Sequence, residues 1–376
     1  MALEMTRRNA IAAAAVAGVA AAGVAGTAHA EVEKQAAAGV VTADASIDAA
    51  TVFGFTSEKP AFMTAPEPVA DDQIVDTAET EILIIGAGLS GCCAARAAAE
   101  NGAKVIVVEK MDQVSERGAG AGTINSKLSV SFEDGTVTDI PSAEFRWMQT
   151  CGNRCNEALI AQYMARSGEA ADWLCEAGEK HHCSMGIWDG YSRNPLLPDE
   201  PGYVCMGGTD ESDLTIPGGS FVAADVCHLE AIENGAEFRF NTKAEYLLQD
   251  ESGAVTGAVV SDADGYKKIV ASKGVVIATG DIAGDPEMMN YYCESRMQRL
   301  IRSDYWPAGI NTGDGHKMGM WAGGVMQDGP LPTALHPQAY SMFHGPFMFV
   351  NQNGQRFFNE ANWVQAKSLQ MLNQPG

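Results

Sequence analysis

Positive charge is scarce in this 376-residue chain, which has 25 Lys and Arg against 48 Asp and Glu and a formal net charge of −23. So few cations cannot build the basic patch that neutralises phosphates, which argues against a nucleic-acid partner. The acidic surface suits a basic partner or simply keeps the protein in solution. Beyond the first 30 residues the sequence also lacks the run of about 20 apolar residues that a transmembrane helix needs.

Metal and haem motifs are missing as well. The nine cysteines form no Cys-x-x-Cys pair and no Cys-x-x-Cys-His haem attachment motif. We interpret them as structural, mostly buried residues, and an iron–sulfur cluster built from four distant cysteines is the less favoured alternative. His181-His182-Cys183 has no second ligand motif at metal-site spacing, so no metal site is predicted.

The N-terminus has the features of a targeting segment. Thr6-Arg7-Arg8-Asn9 precedes an apolar run from Ala10 to Val24, and Ala28-His29-Ala30 offers small residues for cleavage. Paired arginines before a mild, alanine-rich run are typical of a twin-arginine signal peptide. We therefore predict a signal peptide over residues 1–30 and an exported mature chain without a transmembrane segment. It would lie in the periplasm or at the extracytoplasmic face of the membrane, and a single membrane anchor is the alternative.

A strand–turn–helix–strand pattern follows a spacer predicted over residues 31–78. The apolar stretch Glu81–Ile85 leads into Gly86-Ala-Gly-Leu-Ser-Gly91 and an alanine-rich helical stretch. A second apolar stretch, Lys104–Val108, then ends at an acid, Glu109. This order is typical of a βαβ unit that binds a dinucleotide.

The residues of this pattern have separate expected roles. Gly86 permits the tight turn, Gly88 lets the backbone approach a diphosphate, and Gly91 lets the helix pack closely on the strand. The diphosphate would bind the amides at the positive end of the helix. Glu109 follows at close to the spacing of about 20 residues expected of a carboxylate that accepts ribose hydroxyls.

The rest of the chain predicts a helical part, a loop region and a set of strands. Residues 141–178 have helical periodicity, with Phe145 and Leu159 among the apolar positions, and residues 184–220 are predicted to be loops. Strands are predicted at 237–240, 244–248, 255–260 and 268–271 as an antiparallel meander, before a returning strand, 274–280, that ends in Ala-Thr-Gly. This order is typical of FAD-binding domains, whereas NAD-dehydrogenase domains continue with further βαβ units.

Four stretches resemble the flavoprotein family of fumarate reductase, succinate dehydrogenase and 3-ketosteroid Δ1-dehydrogenase, especially its exported soluble branch. They are Ile82–Gly91 with Glu109-Lys110, Val275–Gly280 with Asp285–Met288, Thr312–Gly315 with Met318 and Ala322–Gly324, and Phe349–Phe357 with Asn359-Glu360. The resemblance implies FAD, held by Gly86, Gly88, Ser90, Gly91, Glu109, Lys110, Ala278, Thr279, Gly280 and Asp314.

A run of small residues occupies the place where the backbone of this family passes the flavin ring. The resemblance therefore adds Gly118, Ala119, Gly120, Ala121 and Gly122 to the cofactor site. The chain departs from the family pattern at Ser115–Arg117, where a Gly-Gly pair is usual, and at Asp281, where a glycine is common.

The predicted fold is α/β with α+β elements. A Rossmann-like FAD-binding domain with a β-meander insertion is expected over residues 79–334, and the beginning of a clamp domain over residues 335–376. Members of the family continue past the position of Gly376, so we expect a truncated chain with weak FAD retention.

The resemblance implies hydride transfer from flavin N5 to the double bond of an unsaturated organic acid or related alkene. Electrons would come from a separate c-type cytochrome, because no haem motif is present. A 3-ketosteroid-type dehydrogenase and an inactive fragment are the alternatives.

The catalytic residues are less clear than the cofactor site. His336-Pro337 resembles a His-Pro pair that contacts a substrate carboxylate, and a loop histidine without a role is the alternative. The proton-delivering arginine expected after Asn359-Glu360 is missing, with Val364 in its place, so fumarate reduction by that mechanism is not expected. His344 is a candidate for the proton donor, and Tyr340 and Lys367 are the alternatives.

Overall fold

A six-stranded sheet with helices on both faces makes up most of the described part of the chain. The computed structural model describes residues 59–115, 120–132, 135–188, 200, 202–212, 214, 222–293, 309–327, 330–331, 348–360, 370–371 and 373–374.

Two adjacent parallel strands of the sheet are connected by a helix that packs on one of its faces. β1 spans Ile74–Ile85, α1 spans Leu89–Glu100 and β2 spans Val105–Val108. The strands run parallel, with Ile82 opposite Val105. All of β2 is buried, as expected of a parallel strand that is covered on both faces. The predicted βαβ unit is confirmed, although β1 begins inside the segment predicted to be a spacer.

The second half of the sheet is a hairpin series that returns beside β1. β7 spans Lys243–Gln249, β8 spans Val255–Asp262 and β9 spans Gly265–Ile277. β7–β8 and β8–β9 are antiparallel pairs, whereas β9 runs parallel to β1. The two strands predicted at 268–271 and 274–280 are therefore one long strand, because pairing with β1 continues past Lys273 with a single irregularity.

One predicted meander strand belongs elsewhere. β6 spans Glu237–Arg239 and pairs in parallel with β2, at the opposite edge of the sheet from β7. The strand order is β6-β2-β1-β9-β8-β7. The meander prediction was wrong for this strand, because the partner of a three-residue strand is set by long-range packing and leaves no local pattern.

Alternate residues of β1 enter two hydrophobic cores, one on each face of the sheet, as the period of two in a strand requires. Ile84 packs with α1 and with α5, which spans Ala223–Glu233. Leu83 and Ile85 pack on the other face with Met318, from the helix that covers this face. Burial on both faces explains why the strand is almost continuously apolar.

Further helices complete the described part of the chain. α2 spans Lys127–Phe132, α3 spans Ile140–Thr150, α4 spans Glu157–Lys180, α6 spans Pro286–Tyr292 and α7 spans Asp314–Trp321. The helices predicted within 141–178 are present, but Phe145 and Leu159 are 65% and 63% exposed and do not belong to the core. Short 3-10 turns occur at Ala61–Met63 and Asp71–Gln73.

A small second sheet lies in the region predicted to be loops. β3 spans Ala121–Gly122, β4 spans Ser184–Trp188 and β5 spans Tyr203–Gly207, in the order β3-β5-β4. Both pairs are antiparallel. The loop prediction for residues 184–220 was wrong at β4 and β5, because their glycines and polar residues hide a short antiparallel pairing.

Candidate functional site

A cavity of about 370 Å³ lies where the carboxyl ends of β1, β2 and β9 approach the loop before α7. Ligands of open α/β sheets bind at this end of parallel strands. The cavity walls bring together nine of the residues predicted to bind the cofactor, which are Gly86, Gly88, Ser90, Glu109, Lys110, Ala278, Thr279, Gly280 and Asp314. Their role as cofactor ligands stays a prediction, but they share one site.

The glycine turn is held by close backbone contacts. Gly86 has a φ of +104°, and a Cβ there would lie 2.4 Å from the carbonyl oxygen of Ala278 on the neighbouring strand. A Cβ at Gly91 would lie 1.9 Å from the carbonyl oxygen of Gly86. Real Cβ atoms do not approach so closely, so both positions need glycine for the turn itself.

Gly88 differs from these two glycines because the protein leaves space beside it. Its φ of −81° is open to any residue, and a Cβ there would meet Ser115 O at 3.4 Å, an ordinary contact. Gly88 is the N-cap of α1 and provides no side-chain hydrogen bond to the first turn. The absent side chain thus keeps the helix N-terminus accessible from the cavity, as an anion-binding turn requires.

The Glu109 carboxylate ties the glycine turn to the end of β2. Its Oε2 accepts a hydrogen bond from Ala87 N at 2.7 Å, and its Oε1 accepts one from Met111 N at 2.8 Å. The side chain is 8% exposed and lines the cavity. Because each carboxylate oxygen has two lone pairs, both remain able to accept a ribose hydroxyl.

Lys110 forms hydrogen bonds with the opposite wall of the cavity, where Ile310 and Asp314 lie. Its Nζ donates to Asp314 Oδ2 at 2.8 Å and to Ile310 O at 2.5 Å. Thr312 Oγ1 donates to Asp314 Oδ1 at 2.6 Å. Burial alone would raise the pKa of the Asp314 carboxyl, but the hydrogen bonds from Lys110 and Thr312 together hold that pKa below its usual value. Asp314 is therefore an anionic acceptor at the N-terminus of α7.

The Ala-Thr-Gly end of β9 closes the third side. Thr279 Oγ1 accepts a hydrogen bond from Gly315 N at 3.0 Å, which joins the strand end to the first turn of α7. Asp281 Oδ1 accepts from Ala283 N and from Asn311 Nδ2, at 3.0 and 3.2 Å. The aspartate that replaces a common glycine of the family thus stabilises the loops beneath the cavity.

The described residues of the small-residue run, Gly120 to Gly122, do not line this cavity. Gly118 and Ala119 fall outside the described residues, Gly120 lies against Tyr203, and Ala121 and Gly122 form β3. Ala121 and Gly122 line a separate, more open cavity of about 520 Å³ beside α4. The part of the chain that the structure describes does not bring this run to the glycine turn, so its flavin contact stays a prediction.

Several cavity residues were missed by sequence reasoning. They are Met111, Ser115, Thr242, Lys243, Ala244, Ile310 and Asn311. Thr242 N donates to Glu109 O at 2.8 Å, and Asn241 N donates to Met111 O at 2.8 Å, which fixes the turn after β6 to the end of β2. Recognising β6 as a parallel neighbour of β2 would have placed this turn at the cavity.

The predicted catalytic candidates lie elsewhere in the chain. His336, Tyr340, His344, Val364 and Lys367 all fall outside the described residues. Their roles therefore stay predictions.

Among the described residues, His181, Glu230 and Glu233 are the one set of three metal-ligand side chains whose donor atoms lie within 4.8 Å of one another. The Lys180 ammonium already bridges both carboxylates, at 2.5 and 2.6 Å. His181 Nε2 lies 2.7 Å from Glu230 Oε1. The group is an ion-pair network that ties the end of α4 to α5.

The described residues fit a dinucleotide with a diphosphate. The open backbone at Gly88 leaves room for an anion beside the N-terminus of α1, and the carboxylates of Glu109 and Asp314 line the same cavity as hydrogen-bond acceptors. No described helix is long and apolar enough to cross a bilayer.

The family model that matches the chain is that of an FAD binding domain, over residues 81–373. A vinyl phenol reductase of Lactiplantibacillus plantarum is 24% identical over 303 residues, which cover 75% of this chain and 56% of that protein. A fumarate reductase (cytochrome) of Shewanella frigidimarina is 26% identical over 313 residues, covering 79% of this chain and 50% of that protein. The chain thus spans about half the length of the curated relatives that it matches.

A solved structure shows the same fold. The chain resembles a 3-ketosteroid-Δ4-(5α)-dehydrogenase of Rhodococcus jostii with a TM-score of 0.60 and 20% identity. The likeness covers 81% of this chain and 66% of that one. The predicted α/β fold with its Rossmann-like unit is confirmed.

Proposed function

Because this chain belongs to the FAD binding domain family, we propose that it is an exported FAD-dependent oxidoreductase that reduces the double bond of an unsaturated organic acid or related alkene. Family membership confirms the predicted flavoprotein family and FAD as its cofactor. The observation that carries the activity is the cavity at the strand ends, with the glycine turn on one side and Glu109 and Asp314 on the others.

Bound FAD supplies a two-electron carrier whose N5 exchanges a hydride with carbon. The chain's own residues bind and orient this group. Amides at the start of α1 would receive the diphosphate and Glu109 would accept ribose hydroxyls, while Lys110 holds Asp314 in place as a second acceptor. Because Glu109 and Lys110 adjoin on one strand end, they couple the two walls of the cavity.

The direction of the reaction rests on the relatives. Two of them are named for reductions, one of a vinyl phenol and one of fumarate, which supports an alkene as the substrate class. The fold is equally that of a 3-ketosteroid dehydrogenase, so a dehydrogenase acting on a steroid-like ketone is the second candidate. An inactive fragment remains the third.

Proton delivery to the second carbon of the alkene needs a positioned acid. Val364 stands where the family resemblance implies an arginine, and we propose a different donor for this chain. His344, Tyr340 and Lys367 are the candidates for the donor, and His336 is the candidate for contact with a substrate carboxylate.

Export and electron supply belong to the same proposal. Arg7-Arg8 before an apolar run supports the twin-arginine route to the periplasm or extracytoplasmic face. A fumarate reductase (cytochrome) among the relatives supports a c-type cytochrome as the electron donor. Anaerobic respiration on an external acceptor would combine both features.

Rapid mixing of the chemically reduced holoprotein with candidate acceptors, without oxygen, tests the direction. We expect fumarate, 4-vinylphenol or a related alkene to restore the oxidised flavin spectrum, while the matched saturated compounds, succinate and 4-ethylphenol, do not. If a 3-ketosteroid instead bleaches the oxidised flavin, the dehydrogenase is correct. Bound flavin that responds to none of these compounds would refute both activities, and a chain that binds no flavin would be a fragment.

A further inference from the structure

Two cysteines from distant parts of the sequence touch behind the glycine turn. Cys93 lies on α1 and Cys227 on α5, and their Sγ atoms are 3.8 Å apart. The two helices pack through small buried residues, including Ala95, Ala224 and Ala231. Such an interface lets the helix axes approach closely enough for short side chains to meet.

The two thiols differ in exposure. Cys93 is partly exposed, whereas Cys227 is fully buried. The hydrogen bond with Cys93 and burial raise the pKa of the Cys227 thiol, against the opposing charge of Arg96. Cys93 is therefore the thiol that a reagent reaches from solvent, and Cys227 the one that reacts only with Cys93.

We propose that Cys93 and Cys227 form a two-electron redox site, which a low-molecular-weight disulfide oxidises to a disulfide bond between α1 and α5. The Cys93 thiolate attacks the small disulfide, giving a mixed disulfide and releasing one small thiol. Cys227 then gives up its proton, and its thiolate attacks Cys93 Sγ and breaks the mixed disulfide; the departing small thiolate takes up that proton and leaves as the second small thiol. One protein dithiol and one small disulfide become one protein disulfide and two small thiols.

The geometry needs little change. The sulfurs, already 3.8 Å apart, must close to a bond of about 2 Å. The new bond would close a chain segment of more than a hundred residues and hold α1, whose N-cap is Gly88, against α5. A covalent link over so long a loop restricts the unfolded chain and stabilises the folded one.

Treating the folded, full-length protein with oxidised glutathione, followed by intact mass and peptide mapping, tests this site. We expect the loss of two hydrogen atoms, a linked peptide pair containing Cys93 and Cys227, and a thermal midpoint several degrees higher. Cys92→Ser is the matched control, because the neighbouring Cys92 sulfur contacts Ala87 O instead. That variant should link normally, whereas Cys93→Ser should not.

A folded wild-type protein that stays fully reduced would overturn the proposal. A link that joins other cysteines, such as Cys151 and Cys155, or that forms only after denaturation would do the same. A correct link without any rise of the thermal midpoint would overturn the inference that the bond fastens the two helices.

Discussion

A single substitution of Glu109 should change both the stability of the fold and the affinity for FAD, and the two effects can be measured separately. Glu109→Gln keeps the size of the side chain but replaces one acceptor oxygen with an NH₂ donor. In the structure each oxygen receives a backbone N–H, from Ala87 at 2.7 Å and from Met111 at 2.8 Å. The amide can accept only one of them, so the other N–H faces a donor.

The magnitude follows from burial. Glu109 is 8% exposed, so water cannot replace the lost partner. A buried donor left without a partner costs about 1–3 kcal/mol, and the flavin-free variant should lose that much free energy of unfolding. Loss of a charged acceptor for the ribose should in addition weaken FAD binding about 10- to 100-fold, since a hydrogen bond to a charged group contributes about 1.5–3 kcal/mol.

Denaturant unfolding of the flavin-free protein measures the first effect, and FAD titration followed by flavin fluorescence measures the second. Glu81→Gln is the matched control, because Glu81 Oε2 also accepts a strand N–H, from Lys104 at 2.9 Å, but at the far end of the strands and near solvent. The control should change both quantities little. If Glu109→Gln behaves like this control in both assays, the carboxylate has neither role.

Three further perturbations follow from the same structure. His228 is buried edge-to-face against Phe238, and neither of its ring nitrogens is hydrogen-bonded among the described residues. Burial lowers the pKa of His228, although the charge of Asp225 opposes this shift, so the unfolded state takes up a proton first as the pH falls below 6.5. His228→Phe should therefore reduce the loss of thermal stability between about pH 7 and 5. Lys110→Met should raise the pKa of Asp314 and cost about 1–3 kcal/mol in unfolding free energy at neutral pH, measured by denaturation, since hydrogen bonds to a charged group are lost. Replacing both arginines, Arg7→Lys and Arg8→Lys, should leave the precursor in the cytoplasm, which cell fractionation measures. Normal export of this variant would contradict a twin-arginine signal.

The βαβ unit could be predicted because its information is local. Apolar runs define β1 and β2, and Gly86 and Gly91 between them occupy positions where a Cβ would collide with backbone atoms. Glu109 follows at the end of β2 and therefore lands at the same sheet edge. The nine predicted residues around the cavity all come from such strand ends or helix starts.

The remaining errors concern partners that are distant in sequence. The pairing of β6 with β2 follows from the order of the sheet and not from the three residues of the strand. Phe145 and Leu159 have the spacing of a buried helix face but lie outside it, since periodicity does not tell which face a neighbour covers. The turn after β6 was not predicted to line the cavity because the pairing of β6 with β2 was not predicted.

The flavin content of purified Gly88→Val tests the central claim most directly. A Cβ at Gly88 would lie at an ordinary contact distance from the protein, and the φ of −81° suits any residue, so the variant should fold. The valine methyl groups would fill the space that the diphosphate needs. Gly186→Val is the control, because a Cβ there meets nothing within 4 Å. With FAD present throughout the purification, we predict a flavin absorption spectrum for the wild type and the control and a colourless Gly88→Val protein that unfolds at the temperature of the flavin-free wild type. Equal flavin in all three would contradict cofactor binding at the glycine turn.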